Sequence, residues 1–468
     1  MPSFSSLQSA ASALSAARAG MDITGQNIAN AGTPGYTRQR TDQVSVAGPG
    51  QVGLWPSGLG IGAGVSVEQI ARLGDDVLDA RVRDALSSSG FWSTRASAAG
   101  HAEAVMAEPT DNGLAAILDQ FWAGWSDLAN TPDGAAAQVV LTNADVLVGQ
   151  IAAGYGTIAG QWSDLRGQVD RQVADINAAA GRLAELNGQI RGVLQSGGNA
   201  NELIDQRNLL AQQLSTAVGS TARLEQDGTL TVRVDGNALV SGADSRQLTA
   251  AGPRDIADGG RVTVAWADRP GIIVPVTGGA LGGTISALAP AGEGGALAQV
   301  AKAYNDAATG LAAAVNTIHQ SGATSSGAPG GDFFSLDPSG PAALGLRVVP
   351  TGLADLALAA PGAGALDTTV ADRIGALGAS AAGPSAQWAA FVTGFGVTVA
   401  GDIRRANIAD TGAIAAVSAQ QSTASVDTDE ETINLLTYQT AYQAAARVLT
   451  AVDEALDVLI NRTGLVGR

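Results

Sequence analysis

"INLLTYQTAYQAAARVLTAVDEALDVLI", residues 433–460, places Leu435, Tyr438, Tyr442, Ala445, Leu449, Val452, Leu456 and Leu459 at an unbroken 3-4-3-4 spacing. That period draws one apolar stripe along an α-helix, as narrow as the seam of a coiled coil. Its start is specified: Asp427 can cap, Glu430 three residues on completes a capping box, and Asp429 and Glu431 favour the positive helix terminus. "DTDEE" there lacks the glycine and the spaced oxygen ligands of a calcium loop, so the acidic run reads as a cap.

The seam needs a partner, and the other end of the chain offers one. Phe4, Leu7, Ala11, Leu14, Arg18, Met21, Gly25 and Ile28 repeat the spacing, on a segment whose other faces are Ser, Ala, Gln and Asn. The segment then stops: Gly32 offers a left-handed C-terminal position, Pro34 forbids continuation, and Pro34-Gly35 suits a tight turn before Tyr36. Both helices join the same body, at Tyr36 and Asp427, so they run antiparallel. Leu7, Leu14, Met21 and Ile28 are then expected to meet Leu456, Leu449, Tyr442 and Leu435 in order. These eight residues are the candidate assembly interface, and Gly32, Pro34, Gly35 and Tyr36 the candidate hinge. A two-helix rod about 40 Å long that carries Gly20, Gly25 and many serines is marginal alone and is expected to be mobile in the monomer. Packing against copies or relatives of itself would stabilise it.

Composition narrows the function. The chain of 468 residues is long enough for several domains and is 46% hydrophobic, enough for a core. A net charge of -17, with Lys302 the only lysine, argues against a nucleic-acid partner. No cysteine is present, so disulfides, thiolate nucleophiles and cysteine-bound zinc are excluded. No run approaches the roughly twenty apolar residues of a membrane span, and the start lacks the basic and apolar regions of a cleaved signal peptide. No membrane insertion is expected.

The interior reads as a helical body with a β insertion. Leu165, Val169, Ile176, Leu183, Leu186, Ile190 and Val193 mark a long bundle helix ending at Gly197-Gly198. A helix from about Asn201 to Ala217 follows, with "DQR" (205–207) read as exposed. Another, from about Ser385 to Ala424, presents Trp388, Phe391, Phe395, Val399 and Ile403. Between them "ARLEQDGTLTVRVDGNALVSG" alternates Leu230, Val232 and Val234 and places Asp-Gly at 227–228 and 235–236, two hairpin turns. The fold class is mainly α: elongated terminal coiled-coil helices (1–36 and 427–468), a long helical bundle (37–218 and 290–426) and a small inserted β domain (219–289).

No catalytic constellation converges. His101 and His319 each lie within or beside a helical pattern without a nucleophile at reach, and no close histidine pair suggests a metal. "GLGIGAG" (58–64) fits a loose dinucleotide pattern, but "VSVEQI" after it alternates like a strand where that site requires a helix. Neither an enzyme nor a cofactor is expected.

"NIANAGTPGYTRQR" resembles the N-terminal signature of the bacterial flagellar axial proteins of rod, hook and junction, and "SVDTDEETINLLTYQTAYQAAARVL" is similar to its C-terminal counterpart. Between them "LDQFWAGWSDLANTPDGAAAQ", "NELIDQRNLLAQQLS" and "VNTIHQSG" followed by "GGDFF" resemble the junction branch of that family. The resemblance implies a structural subunit whose terminal helices insert into a tubular core, a ring of copies, and contacts with the hook protein and a second junction protein. It also implies an export chaperone at the C-terminal region and residence outside the cell in the flagellum, after type III export without a cleaved signal.

Overall fold

The computed structural model describes residues 4–47, 62–364 and 366–462. Residues 58–61 of the glycine-rich stretch, and the side chains of Phe4 and Leu459, lie outside what is described.

Helix α1 (Phe4–Asn30) leads through a turn into the antiparallel hairpin β1 (Gln39–Ser45) and β2 (Val65–Arg72). The body then opens with α2 (Asp76–Met106), α3 (Leu114–Asn130), α4 (Gly134–Gln195) and α5 (Asn201–Val218). Side chains cap three starts: Asp75 accepts from Val77 N and Leu78 N, Asp133 from Ala136 N, and Asp427 from Asp429 N and Glu430 N. Expected from Leu165 onward, the long bundle helix begins at Gly134 and spans 62 residues, because its first half is an alanine-rich continuation that also packs on α3. Val169, Ile176, Leu183 and Ile190 are buried as the spacing requires. Among the described residues α4 is also the one helix apolar and long enough by composition to cross a membrane, and it packs here against α3, α5 and α7 (Ala296–His319).

Seven short strands interrupt the helices. β3 (Thr221–Leu224), β4 (Leu230–Val234), β5 (Asn237–Ser241) and β6 (Asp244–Ser245) form one antiparallel sheet. β7 (Leu248–Ala251), β8 (Thr263–Trp266) and β9 (Arg269–Val274) form a second. Asp235 and Gly236 (φ 48° and 75°) make the two-residue turn between β4 and β5, the conformation an Asp-Gly pair admits. The strands stop at Val274, earlier than the expected boundary at 289: α6 (Gly279–Ala287) is a helix whose glycines let it lie closely on α2.

The chain continues through α7, β10 (Ala323–Thr324), β11 (Phe334–Leu336), α8 (Ala342–Gly345), β12 (Leu346–Val348), β13 (Ala357–Ala359) and α9 (Thr369–Gly375). Phe121 and Trp125 of α3 meet Phe333, Phe334 and His319 in an aromatic cluster of edge-to-face and tilted ring pairs. The fully buried His319 has Nδ1 2.8 Å from Gly331 O, while Nε2 accepts from Ala357 N. That pairing requires the neutral Nδ1–H tautomer, and burial pushes its pKa below the ordinary value. Finally α10 (Pro384–Ala424) runs the length of α2 and α11 (Thr428–Asp457) returns along α1. Trp388, Phe395 and Val399 of α10 are buried, but Ile403 is exposed. The face turned to α2 there presents Asp402, which is buried and accepts from Arg95 Nε at 2.8 Å.

Candidate assembly site

The two terminal helices pair antiparallel, and small residues set how closely. Among the described side chains of α1, Ala10, Ala16, Ala17, Gly20, Ile23, Thr24 and Asn27 are buried. A Cβ on Gly20 would lie 2.5 Å from the Tyr438 ring, so the ring rests on bare backbone. One side of the pair is covered by the hairpin, where Ser12 Oγ accepts from Val65 N. On α11, Glu431, Ala445 and Val452 are buried, and Leu435, Tyr438, Leu449 and Leu456 are half-buried along the same stripe.

The expected register is corrected by these contacts. Gly20 stands against Tyr438, and Asn27 against Glu431, which displaces the helices by a little more than one turn from the pairing of Met21 with Tyr442 and Ile28 with Leu435. The α1 seam is also rotated by one residue. Leu7, Leu14, Met21 and Ile28 are only half-buried beside it, and Tyr442 is 36% exposed. The physical reason is close approach: alanine and glycine let the backbones meet, and the larger side chains turn to the flank. Ile433, Leu436 and Val448 on the far side of α11 are exposed.

At the root of the pair, Tyr36 N donates to Thr33 O at 3.2 Å and Gly35 has φ 79°, so Thr33-Pro34-Gly35-Tyr36 is a type II turn. The left-handed residue is therefore Gly35; Gly32, expected to take that conformation, is not among the positive-φ residues, because it sits inside the turn that Thr33 N closes on Asn30 O at 2.9 Å and the chain reverses only at Pro34-Gly35. Asn27 binds the turn together. Its Oδ1 accepts from Tyr36 OH (2.9 Å) and Gln39 N (3.0 Å), and its Nδ2 donates to Gln39 O (2.8 Å) and Glu431 Oε2 (3.1 Å). Burial, with the charges of Glu202, Asp205 and Glu431, pushes the Tyr36 phenol up to about 12 and keeps it a donor.

Arg38 joins the two places where the chain crosses between the helix pair and the body. Its N–H donates to Ala424 O at 2.8 Å, Nε to Glu431 Oε1 at 2.7 Å and Nη1 to Glu430 Oε2 at 2.8 Å. Burial lowers the guanidinium pKa, but the hydrogen bonds and charges of Glu430 and Glu431 outweigh it and raise the net value. Glu430 thus serves Arg38, where a capping box had been expected, and Glu431 is 2% exposed and fully partnered.

The body grips the root through α5. Asp205 and Arg207, read from the sequence as exposed, are buried. Asp205 accepts from Thr37 N (2.9 Å) and Arg72 Nε (2.5 Å); Arg207 Nη1 donates to Gly228 O (2.6 Å), and its pKa is lowered to about 10 by burial and the nearby Arg72 charge. Sequence reasoning missed this polar hub. Its one visible signal was Asn201, Asp205 and Asn208 recurring at helical spacing beside the apolar stripe of the same helix.

The contacts of the site hold segments in place. Among the described residues no three His, Asp or Glu side chains cluster as metal ligands. His101 is exposed on α2, far in sequence from the buried His319.

Residues 7–37 match the family model "Flagella basal body rod protein", and residues 420–462 match "Flagellar basal body rod FlgEFG protein C-terminal". The helix pair and its turn are thus the paired ends of a flagellar axial protein. Residues 99–334, half of the chain, match "Flagellar hook-associated protein FlgK helical domain", and the chain belongs to that family of flagellar structural proteins. It is 29% identical to flagellar hook-associated protein 1 of Bacillus subtilis over 99% of both chains. It is 30% identical to that of Salmonella typhimurium over 70% of this chain and 58% of the relative. A solved structure of the flagellar hook junction protein FlgK from Burkholderia pseudomallei superimposes with TM-score 0.47 at 25% identity, over 55% of this chain and 46% of that one. The family is not an enzyme family, and its members belong to the flagellum, an extracellular assembly.

Proposed function

We propose that this chain joins hook to filament. Its terminal helix pair is the inserting unit, the helical body and its β insertion are the outer unit, and copies of the chain form a ring between the hook protein and a second junction protein. The observation that carries this reading is the placing of large apolar side chains on the pair. The α1 seam is filled by alanine and glycine, while Leu7, Leu14, Met21 and Ile28 on α1 and Ile433, Leu436, Tyr442 and Val448 on α11 stay half-buried or exposed. A helix pair with apolar residues on several faces reaches its full burial only among neighbours. Leu435, Leu449 and Leu456 complete the surface from the side nearest α1.

The chain acts in this reading by assembly, without catalysis or cofactor. It leaves the cell by the flagellar type III route, and before export its C-terminal region is held by a chaperone. Deletion of the gene tests it: electron microscopy of the deletion strain should show hooks without filaments. Normal filaments on normal hooks would remove the reading.

A further inference from the structure

His319, the last residue of α7, is fully buried and uses both ring nitrogens. Nδ1–H donates to Gly331 O at 2.8 Å, and Nε2 accepts from Ala357 N at 3.0 Å, at the start of β13. One turn earlier on α7, Asn316 makes a second attachment with a side chain that does not titrate. Its Oδ1 accepts from Phe333 N and Phe334 N, both at 2.9 Å, and its Nδ2 donates to Phe334 O at 2.7 Å. Acid separates the two attachments. A proton added to the imidazole goes to Nε2, and the new N–H then points at the N–H of Ala357. The bond to Gly331 survives, the Asn316 bonds are untouched, and Ala357 N loses its acceptor. β13 has only a short ladder of its own, pairing with β10 at Ala323–Ala359 and Thr324–Ala357.

We propose that His319 is an acid-sensitive latch, which holds β13 to the helical body while its ring is neutral and releases that strand when the ring takes a proton. The groups packed around the ring do little for a charge. α3 presents Trp125 and the loop before β11 presents Phe333, with ring centroids 6.4 and 5.8 Å from that of His319, and β13 presents Ala357. Asp119 and Asp127 of α3 and Asp372 of α9 are exposed, and Arg373 of α9 donates to Ser321 Oγ. Asp355, before β13, accepts from Thr351, while Lys302 and Asp306 pair with each other more than three turns back along α7. Asp332 favours the imidazolium, as does Gly331 O, but Asp332 is exposed and bonded to Gln320 Nε2, and burial of the ring outweighs both and pushes its pKa below the ordinary value. A base with a depressed pKa contributes stability that is intact above its unfolded value of about 6.5 and is lost as pH falls toward the folded one. In that window the opening of β13 rises by up to about tenfold per pH unit, well above the range near 4 where ordinary carboxylates titrate. The latch lies in the body and stands independently of the junction reading.

Hydrogen exchange of the full chain, followed by mass spectrometry at pH 7 to pH 5 and corrected for the intrinsic effect of pH, tests it. Opening at residues 356–359 should rise several-fold, by up to about tenfold for each unit below 6.5, while residues 333–334, held by Asn316, stay level. His319→Gln, whose amide takes no proton in this range, should abolish the rise. Should that variant fail to fold, the native chain decides. With two histidines in the sequence, His101→Gln assigns the ring signals in a nuclear magnetic resonance titration, and protonation of His319 should coincide with the opening of β13. Opening at 356–359 that stays level, a rise shared equally by 333–334, a rise that persists in folded His319→Gln, or a ring that takes its proton while β13 stays closed overturns the latch.

Discussion

Replacing Gly20 by alanine separates two effects of opposite sign. In an unobstructed helix interior the change is stabilising by about 1 kcal/mol, because alanine loses less backbone freedom on folding and is the better helix former. At Gly20 the new methyl would start 2.5 Å from Tyr438 Cε1, against an ordinary carbon contact of about 3.5–4.0 Å, so the ring must move by about 1 Å or more. Overpacking of that kind costs about 1–3 kcal/mol. The net effect in the native background is then a loss of up to about 2 kcal/mol. In a Tyr438→Ala background the obstruction is gone, and the same substitution should stabilise by about 1 kcal/mol. Gly25, with nothing within 4 Å of its position, is the control and should respond to alanine with stabilisation in both backgrounds. Hydrogen exchange of α1 amides reads the local opening. Gly20→Ala should speed exchange, Gly25→Ala should slow it, and the sign at Gly20 should reverse once Tyr438 is truncated. If Gly20→Ala slows exchange in the native chain as much as Gly25→Ala does, the ring does not rest on the glycine and the register is wrong.

Leu436→Asp alters a residue that is 59% exposed in the monomer, so stability should change by less than about 0.5 kcal/mol while hooks lose their filaments; wild-type motility would show that this face of α11 meets nothing. The register set by Gly20 and Asn27 brings Ala13 to Ala445, and a cysteine pair there should oxidise readily, whereas the pair at Leu14 and Leu449 should not; preferential oxidation of the latter would restore the register first expected from the sequence. The Tyr36 pKa of about 12 lies above its ordinary 10, so the stability it contributes is intact below pH 10 and is lost as pH rises through 12. Tyr36 should therefore ionise late in a tyrosinate absorbance titration, and Tyr36→Phe should remove one late step; an unchanged late limb would place the phenol in open solvent.

Helix starts, stops and turns were legible in the sequence because each depends on neighbours along the chain. Asp427 caps α11, Pro34-Gly35 turns where it should, and Asp235-Gly236 forms its two-residue hairpin, all from local backbone rules. Most of the α11 stripe was legible as well: Ala445 and Val452 are buried and Leu435, Tyr438, Leu449 and Leu456 half-buried, while Tyr442 falls outside it. On α1 the rule that large apolar residues mark the seam failed by one residue. The seam of two closely approaching helices is chosen by what is absent, a Cβ at Gly20 and bulk at Ala10, Ala16 and Ala17, and a pattern of large apolar residues does not register an absence.

The polar root was hidden for a different reason, one that also bears on what it does. Asn27 and Glu431 stand 404 positions apart, Asp205 and Thr37 168, and Arg38 and Glu431 393, so no local pattern pairs them. Each would be costly to bury alone, and each is buried, or half-buried in the case of Arg38, only because a distant segment supplies its partner. A root built this way is satisfied only as a unit: Glu431 finds its partners in Asn27 and Arg38 together, and Thr37 N finds its acceptor on α5. Apolar contacts along the rod tolerate a sliding register, whereas this set of hydrogen bonds is satisfied in one arrangement. The direction of the terminal pair is therefore decided where the helices meet the body, and the apolar surface farther out remains free to meet its neighbours.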